Sequence, residues 1–383
     1  MVRTQGHVAV MHMVDTLRVG GVERVAVNLA NLLPRAGYRT HLCTTRGEGP
    51  FAGLVSAAVG RLALARRGRF DLAPLGRLTR YIREHEIRIL HAHGSALFLA
   101  RLAALVPPYP AVIWHDHYGR YAFNDRPAWL YRGATRRIAG VIAVNHPLAD
   151  WSRRTLGIPE ERVWYIPNLV EMAASTVAAP ELPGNPGKRI VCLANLRPQK
   201  DHFNLLAAMR LVASVDPESH LLLAGDFSDA RYKDSVLRRI GELELAANVS
   251  YLGRCEDVAS LLEGSDVAVL ASLSEGLPVA LLEYGLAALP AVATEVGQCG
   301  EVLDGGAAGL LVPPAAPDAL ANALLRLLSA PAERARLGKR LRERVASHYG
   351  PDSILEQIGQ VYERVLTRNY TAVPRVEVPE CAA

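Results

Sequence analysis

Along almost its whole length the chain alternates between short β-branched apolar runs and longer stretches whose apolar residues recur every three or four positions. The first pattern predicts buried strands and the second amphipathic helices; their regular alternation predicts parallel α/β sheets. In the first half the strand candidates are 7–14, 39–45, 87–93, 111–117, 139–145 and 163–168, with helical stretches at 22–36 and 75–86. Residues 169–188 lose both periods and gather Pro, Gly and Ala, which predicts a linker over 171–188. Strand candidates then resume at 189–196, 220–225, 248–253, 266–272, 290–294 and 309–312. From Pro317 the pattern is helical, ending in an amphipathic helix over about 353–370. The expectation is two doubly wound, Rossmann-like domains, 1–170 and 189–352. In such sheets ligands collect beyond the carboxyl ends of strands, so the residues just after each strand are the candidates for chemistry.

Length and composition fit this reading. A chain of 383 residues accommodates two domains, and 50% apolar with 21% charged residues excludes wholesale disorder. The longest apolar run, ALFLARLAALV, is interrupted by Arg101 and is too short to span a bilayer, and no export signal is read at the start. Five scattered cysteines without a CxxC exclude a disulfide framework or zinc ribbon and point to a reducing cytoplasm. Residues 1–185 carry 23 Arg, no Lys and 13 acids, whereas 186–383 carry 20 bases and 25 acids. The basic half fits a solvated surface, an anionic acceptor or peripheral contact with an anionic membrane; the Arg-rich stretches 61–69 and 77–84 are the segments such a contact would use. No aromatic interleaving accompanies the charge, so nucleic acid is not expected.

The sharpest motif is SEGLPVALLE, residues 274–283, directly after a strand candidate. Pro278 suits the first turn of a helix, and the loop before it would turn its amides, with the helix N-terminus, toward a phosphate. Glu275 and Glu283 are eight positions apart. Taken alone, such a pair fits a solvated helix start. In a strand–loop–Pro–helix setting it fits a ligand offering both phosphates and hydroxyls, and a nucleotide diphosphate sugar offers both.

This segment resembles the E-x7-E motif of glycosyltransferase family 4, retaining transferases of the GT-B fold. The likeness extends to VDTLRVGGVERVAVNLANLL near the start and EVLDGGAAGLLVPPAAPDALANAL near the end. It implies an acceptor-binding first domain, a nucleotide-sugar-binding second domain, a reaction in the cleft, and a last helix crossing back onto the first domain. It also implies that Glu283 holds ribose hydroxyls and Glu275 hydroxyls of the transferred sugar, with the Gly276 and Leu277 amides on the diphosphate. Lys200 matches the family's phosphate-binding lysine. The family's usual arginine position holds Asn195, and Arg197, two places later, stands in for it.

Gly20 and Gly21 would let a ligand approach the backbone or permit a positive φ, and the resemblance places them beside acceptor and phosphates. His91/His93 and His115/His117 are two H-x-H pairs at strand ends, each pair on one face. No acid or cysteine completes a ligand set, so no metal is expected. By resemblance His115 lies against the donor sugar, His117 is the second choice, and His93 lines the acceptor side. The expected reaction needs no cofactor or divalent ion and has no covalent nucleophile. It moves a hexosyl or N-acetylhexosaminyl group from a UDP-sugar first, or a GDP-sugar second, to a hydroxyl of a glycan, lipid-linked sugar or small natural product. A sugar-nucleotide epimerase and a non-catalytic sugar-binding subunit are the alternatives.

Overall fold

The computed structural model describes residues 8–372, apart from 19, 69, 70, 72, 118–125, 171–180, 228 and 256. Residues 1–168 and 354–383 group into one compact unit and 169–353 into another. Of the expected linker, 171–180 lie outside the described residues, and 181–188 form neither helix nor strand. Cys381 also lies outside them.

The first unit is built on seven parallel strands: β1 (Ala9–Val14), β2 (Arg39–Thr44), β3 (Gly60–Ala63), β4 (Ile87–His93), β5 (Ala111–Asp116), β6 (Gly140–Ala143) and β7 (Val163–Tyr165). Their order across the sheet is β3-β2-β1-β4-β5-β6-β7. β1, β5 and β6 are buried at every position, as a sheet covered on both faces requires. The edge strand β3 is half-exposed. Its sequence, GRLA, opens the first Arg-rich stretch, 61–69, and Leu62 packs on the core. The second Arg-rich stretch, 77–84, lies on the helix Leu75–Glu84, which buries Leu78 and Ile82, and Arg77 donates to the Leu64 carbonyl.

The second unit carries β8 (Arg189–Leu193), β9 (His220–Ala224), β10 (Val249–Gly253), β11 (Val267–Leu270), β12 (Ala291–Thr294) and β13 (Leu310–Val312), ordered β10-β9-β8-β11-β12-β13 and all parallel. Two apolar layers sandwich this sheet, one around Leu205, Met209 and Leu324, the other around Leu281, Tyr284 and Leu341.

In both sheets the chain leaves its first strand in one direction and later returns to add strands on the other side. The order therefore reverses between β1 and β4, and between β8 and β11. Neighbouring loops part at such a switch point, and the crevice they leave is where open α/β sheets bind ligands. The last helix, Pro351–Ala372, carries its residues from Ile354 onward into the first unit.

Candidate functional site

At the switch point of the first sheet, register sets His12 of β1 opposite His91 of β4, and His93 of β4 opposite His115 of β5. Side chains alternate along a strand, so these four and His117 fall on one face. The rings form a ladder: His91 and His93 stack at 4.7 Å between centroids and 4° between planes, and His115 and His117 approach to 4.0 Å. Two hydrogen-bonded chains run through it. In one, His12 Nδ1 meets His93 Nε2 at 3.1 Å and His93 Nδ1 meets His117 Nε2 at 3.0 Å. In the other, the Tyr362 hydroxyl meets His91 Nδ1 at 2.6 Å and His91 Nε2 meets His115 Nδ1 at 2.9 Å. Among the described residues His12 Nε2 and His115 Nε2 are buried without a partner, while the Asn168 side chain stands beside His117 and favours its proton.

Burial pushes every one of these imidazoles down: His12 and His117 to about 3, and His91, His93 and His115 well below 6.5, with neighbouring rings adding to the effect in the last three. All five are neutral at physiological pH. His93, expected on an acceptor surface, is instead the hub of the first chain, with both nitrogens engaged. Two overlapping triads, His12–His91–His93 and His93–His115–His117, bring one nitrogen from each residue within 4.8 Å of one another, near enough to hold a metal ion. The 2.9–3.1 Å contacts between rings require one nitrogen of each pair to carry a proton, which leaves only one lone pair per contact for an ion.

The opposite face of β5 carries Trp114 and Asp116. Asp116 accepts two bonds of 2.8 Å from Arg126, whose guanidinium lies over Trp114, Tyr131 and Trp151. A planar, doubly paired cation boxed in by aromatic rings ties Arg126 to the end of β5. Gly20 caps the helix Gly21–Leu32 in an extended conformation, so neither glycine of this loop has the positive φ considered for it. A Cβ on Gly20 would meet the Glu23 carboxylate, whereas one on Gly21 would meet nothing within 4 Å.

At the switch point of the second sheet, the loops after β8 and β11 are tied by a bond from Leu273 N–H to the Gln199 carbonyl, 2.8 Å. This places Lys200 and Glu275 together, with Nζ 2.5 Å from Oε1 and both side chains largely buried. Ser272 also donates to Glu275 Oε1, at 2.6 Å, and is itself held through its carbonyl by Thr294. The N–H groups of Ser274, Glu275, Gly276 and Leu277 donate to no described residue. Pro278 caps the helix Val279–Leu286 and does not enter its first turn, so the open-amide loop runs right up to the helix start. Gly297, at φ +54°, lies beneath this loop, where a Cβ would come within 2.1 Å of the Glu275 carbonyl oxygen. The Gln298 N–H then holds the Gly276 carbonyl at 3.0 Å.

Glu283 is the fifth residue of that helix. Burial raises its carboxyl to about 7, and its side chain makes no hydrogen bond to any described residue. Arg197 is exposed and its guanidinium has no partner among the described residues. Asn195 is already engaged: its Oδ1 accepts from Asp226 N–H at 2.9 Å and joins the ends of β8 and β9. The site thus combines a run of amides that meet no described residue, the Lys200–Glu275 pair with Arg197 nearby in sequence, and Glu283, a buried carboxyl able to accept hydrogen bonds from hydroxyls. His12, Tyr362, Ser272, Thr294 and Gly297 were not singled out from the sequence. Only the H-M-V ending of β1 and the glycine after β12 carried a signal for two of them.

Two family models match the chain, Glycosyltransferase Family 4 over residues 19–173 and Glycosyl transferases group 1 over 178–344. A phosphatidyl-myo-inositol mannosyltransferase of Mycolicibacterium smegmatis is 28% identical over 360 residues, covering 90% of each chain. A GDP-mannose-dependent monoacylated alpha-(1-6)-phosphatidylinositol monomannoside mannosyltransferase of Corynebacterium glutamicum is 28% identical over 216 residues, 52% of this chain and 55% of the relative. Among solved structures, Anabaena HepE in complex with UDP and glucose superposes with a TM-score of 0.73 at 17% identity, covering 94% of this chain and all of that one.

Proposed function

The chain belongs to glycosyltransferase family 4 and is a glycosyltransferase of the GT-B type; on that footing we propose that it transfers a hexosyl group from a nucleoside diphosphate sugar to an acceptor hydroxyl, with retention at the anomeric carbon. The observation that carries the reading is the run of unused amides at Ser274–Leu277 beside Lys200 and Glu283 at the switch point of the second sheet. Amides and a lysine suit a diphosphate, and a carboxyl without partners suits the paired hydroxyls of ribose.

Lys200 and Glu275 neutralise each other in the structure. When a diphosphate enters, Lys200 turns from the carboxylate to the phosphate oxygens. Glu275, still held by Ser272, is then released to accept from hydroxyls of the transferred sugar. As the glycosidic bond breaks, negative charge builds on the leaving diphosphate. Lys200 and the amides, already oriented, gain strength with that charge, and this difference between ground and transition state lowers the barrier. Arg197 adds a second cation. The leaving phosphate takes the acceptor proton, and His115, whose Nε2 meets no described residue, donates to the sugar. Gly21 and His117 belong to the acceptor side. No divalent ion takes part in these steps.

GDP-mannose is the first donor to test and UDP-glucose the second, because the names of the relatives above attach GDP-mannose to a sequence relative and UDP to a structural one. The acceptor class we propose is a lipid-linked polyol or sugar, as in the inositol-lipid mannosyltransferases; among the described residues no helix is long and apolar enough to cross a membrane, so contact with such a lipid would be peripheral. The test is incubation with each donor and a lipid or polyol acceptor, with the anomeric configuration of the product read by proton NMR. Transfer with the donor's own configuration is expected, and an inverted product would refute retention.

A further inference from the structure

We infer that Tyr362, on the C-terminal helix, sets the tautomer of His115 through His91, so that His115 presents an N–H at Nε2 to the ligand. The inference rests on the function proposed above and adds to it two positioning residues, Tyr362 and His91. Three observations support it. The contacts are continuous, 2.6 Å from the Tyr362 hydroxyl to His91 Nδ1 and 2.9 Å from His91 Nε2 to His115 Nδ1. All three side chains are buried, so water does not compete along the chain. The far end, His115 Nε2, has no partner among the described residues.

The direction follows from acidity. A phenol is a better donor than a neutral imidazole, and an imidazole nitrogen is a far better acceptor than a phenol oxygen. The hydrogen between Tyr362 and His91 therefore sits on Tyr362, which leaves Nδ1 of His91 unprotonated. A neutral His91 must then carry its proton on Nε2 and donate it to His115 Nδ1. His115, also neutral, is left with its proton on Nε2. Burial holds the tyrosine well above 10 and both imidazoles well below 6.5, so each link stays uncharged and the logic applies across the physiological range. The other histidine chain, His12–His93–His117, ends on no phenol among the described residues; the Asn168 side chain stands at its His117 end.

Tyr362 is fully buried, with its ring edge against Tyr38 and its hydroxyl reaching the histidine ladder. A phenylalanine would fill the same space and keep the packing while removing the donor.

The experiment is long-range nitrogen–proton NMR on full-length protein labelled at histidine, with His115 assigned by its loss in His115→Asn. The wild type is expected to show His115 protonated at Nε2, and Tyr362→Phe to show a mixture of tautomers. In the same variant kcat is expected to fall roughly tenfold, with donor KM changed less than about twofold and the melting temperature nearly unchanged. An Nδ1-protonated His115 in the wild type would overturn the inference. So would a Tyr362→Phe protein with an unaltered tautomer, whatever its activity, or one with an altered tautomer and normal kcat. Should that variant fail to fold, His91→Leu cuts the chain at its middle link and carries the same expectations. The tautomer is read without any donor, so a failure of the glycosyl-transfer reading itself, seen as no donor binding to the wild type, stays distinct from a failure of the relay.

Discussion

Glu283 is an acid whose proton is held by burial alone, and that makes its role open to a pH experiment. Its carboxyl titrates near 7 in the folded protein and near 4.5 when unfolded, so between those values the folded state binds more protons. Stability from this group is full below about pH 4.5 and is lost as pH rises toward 7. Glu283→Gln removes the cost of charging, and the melting temperature of the variant is expected to rise relative to wild type between pH 5 and pH 8; a constant difference would refute the assignment. Ribose hydroxyls favour the charged carboxylate, so donor affinity is expected to increase with pH up to about 7 and then level off, a trend absent from the glutamine variant. The acid and the neighbouring cations divide between binding and turnover. Glu283→Ala is expected to raise donor KM about tenfold with kcat little changed, whereas Lys200→Ala lowers kcat as well, because its charge matters most as the diphosphate leaves. An effect of Arg197→Ala below about threefold, ~0.7 kcal/mol, would mean that the exposed arginine does not replace the one the family carries at the Asn195 position.

The loop Ser274–Leu277 works because the elements around it leave its amides unused. Gly297 is the test of that arrangement. Both its positive φ and the 2.1 Å approach of a Cβ to the Glu275 carbonyl oppose a side chain, so Gly297→Ala is expected to cost about 1–3 kcal/mol and to weaken donor binding, while Gly300→Ala, which meets nothing, should do neither. Calorimetric melting with and without nucleotide separates the two effects. The histidine ladder makes a further prediction. Each of its five imidazoles is depressed below its unfolded value of 6.5, so the stability they allow is present above that pH and lost as pH falls toward 3. A melting temperature falling progressively below about pH 6.5 is expected; one that holds to pH 5 would contradict a neutral buried ladder. The strands that carry these groups were legible from the sequence, since buried parallel strands are continuous apolar runs. β3 was not, because GRLA at a sheet edge has too few apolar positions to show a period.

The two doubly wound units, and the presence of Lys200, Glu275 and Glu283 in loops or a helix just beyond strand ends, follow from patterns local to the sequence. What local pattern does not carry is pairing over distance. Nothing near Lys200 announces a partner 75 positions away, and nothing near His91 announces Tyr362, 271 positions on. Asn195 could be flagged as unusual from its position, but its bond to the Asp226 backbone depends on strand order. The ladder raises the question of metal more sharply than four scattered histidines did. Transfer is expected to persist in excess EDTA, and loss of activity restored by zinc would move His93 and its neighbours into the catalytic account.

The proposed function requires an activated sugar to sit on the Ser274–Leu277 loop between Lys200 and Glu283. Isothermal titration calorimetry with GDP-, UDP- and ADP-hexoses on the wild type and on Lys200→Ala/Glu283→Ala tests it directly. Saturable binding of at least one donor, weakened about a hundredfold or more in the double variant, is the predicted result. Binding of equal strength in both proteins, or no binding of any donor to the wild type, would contradict it.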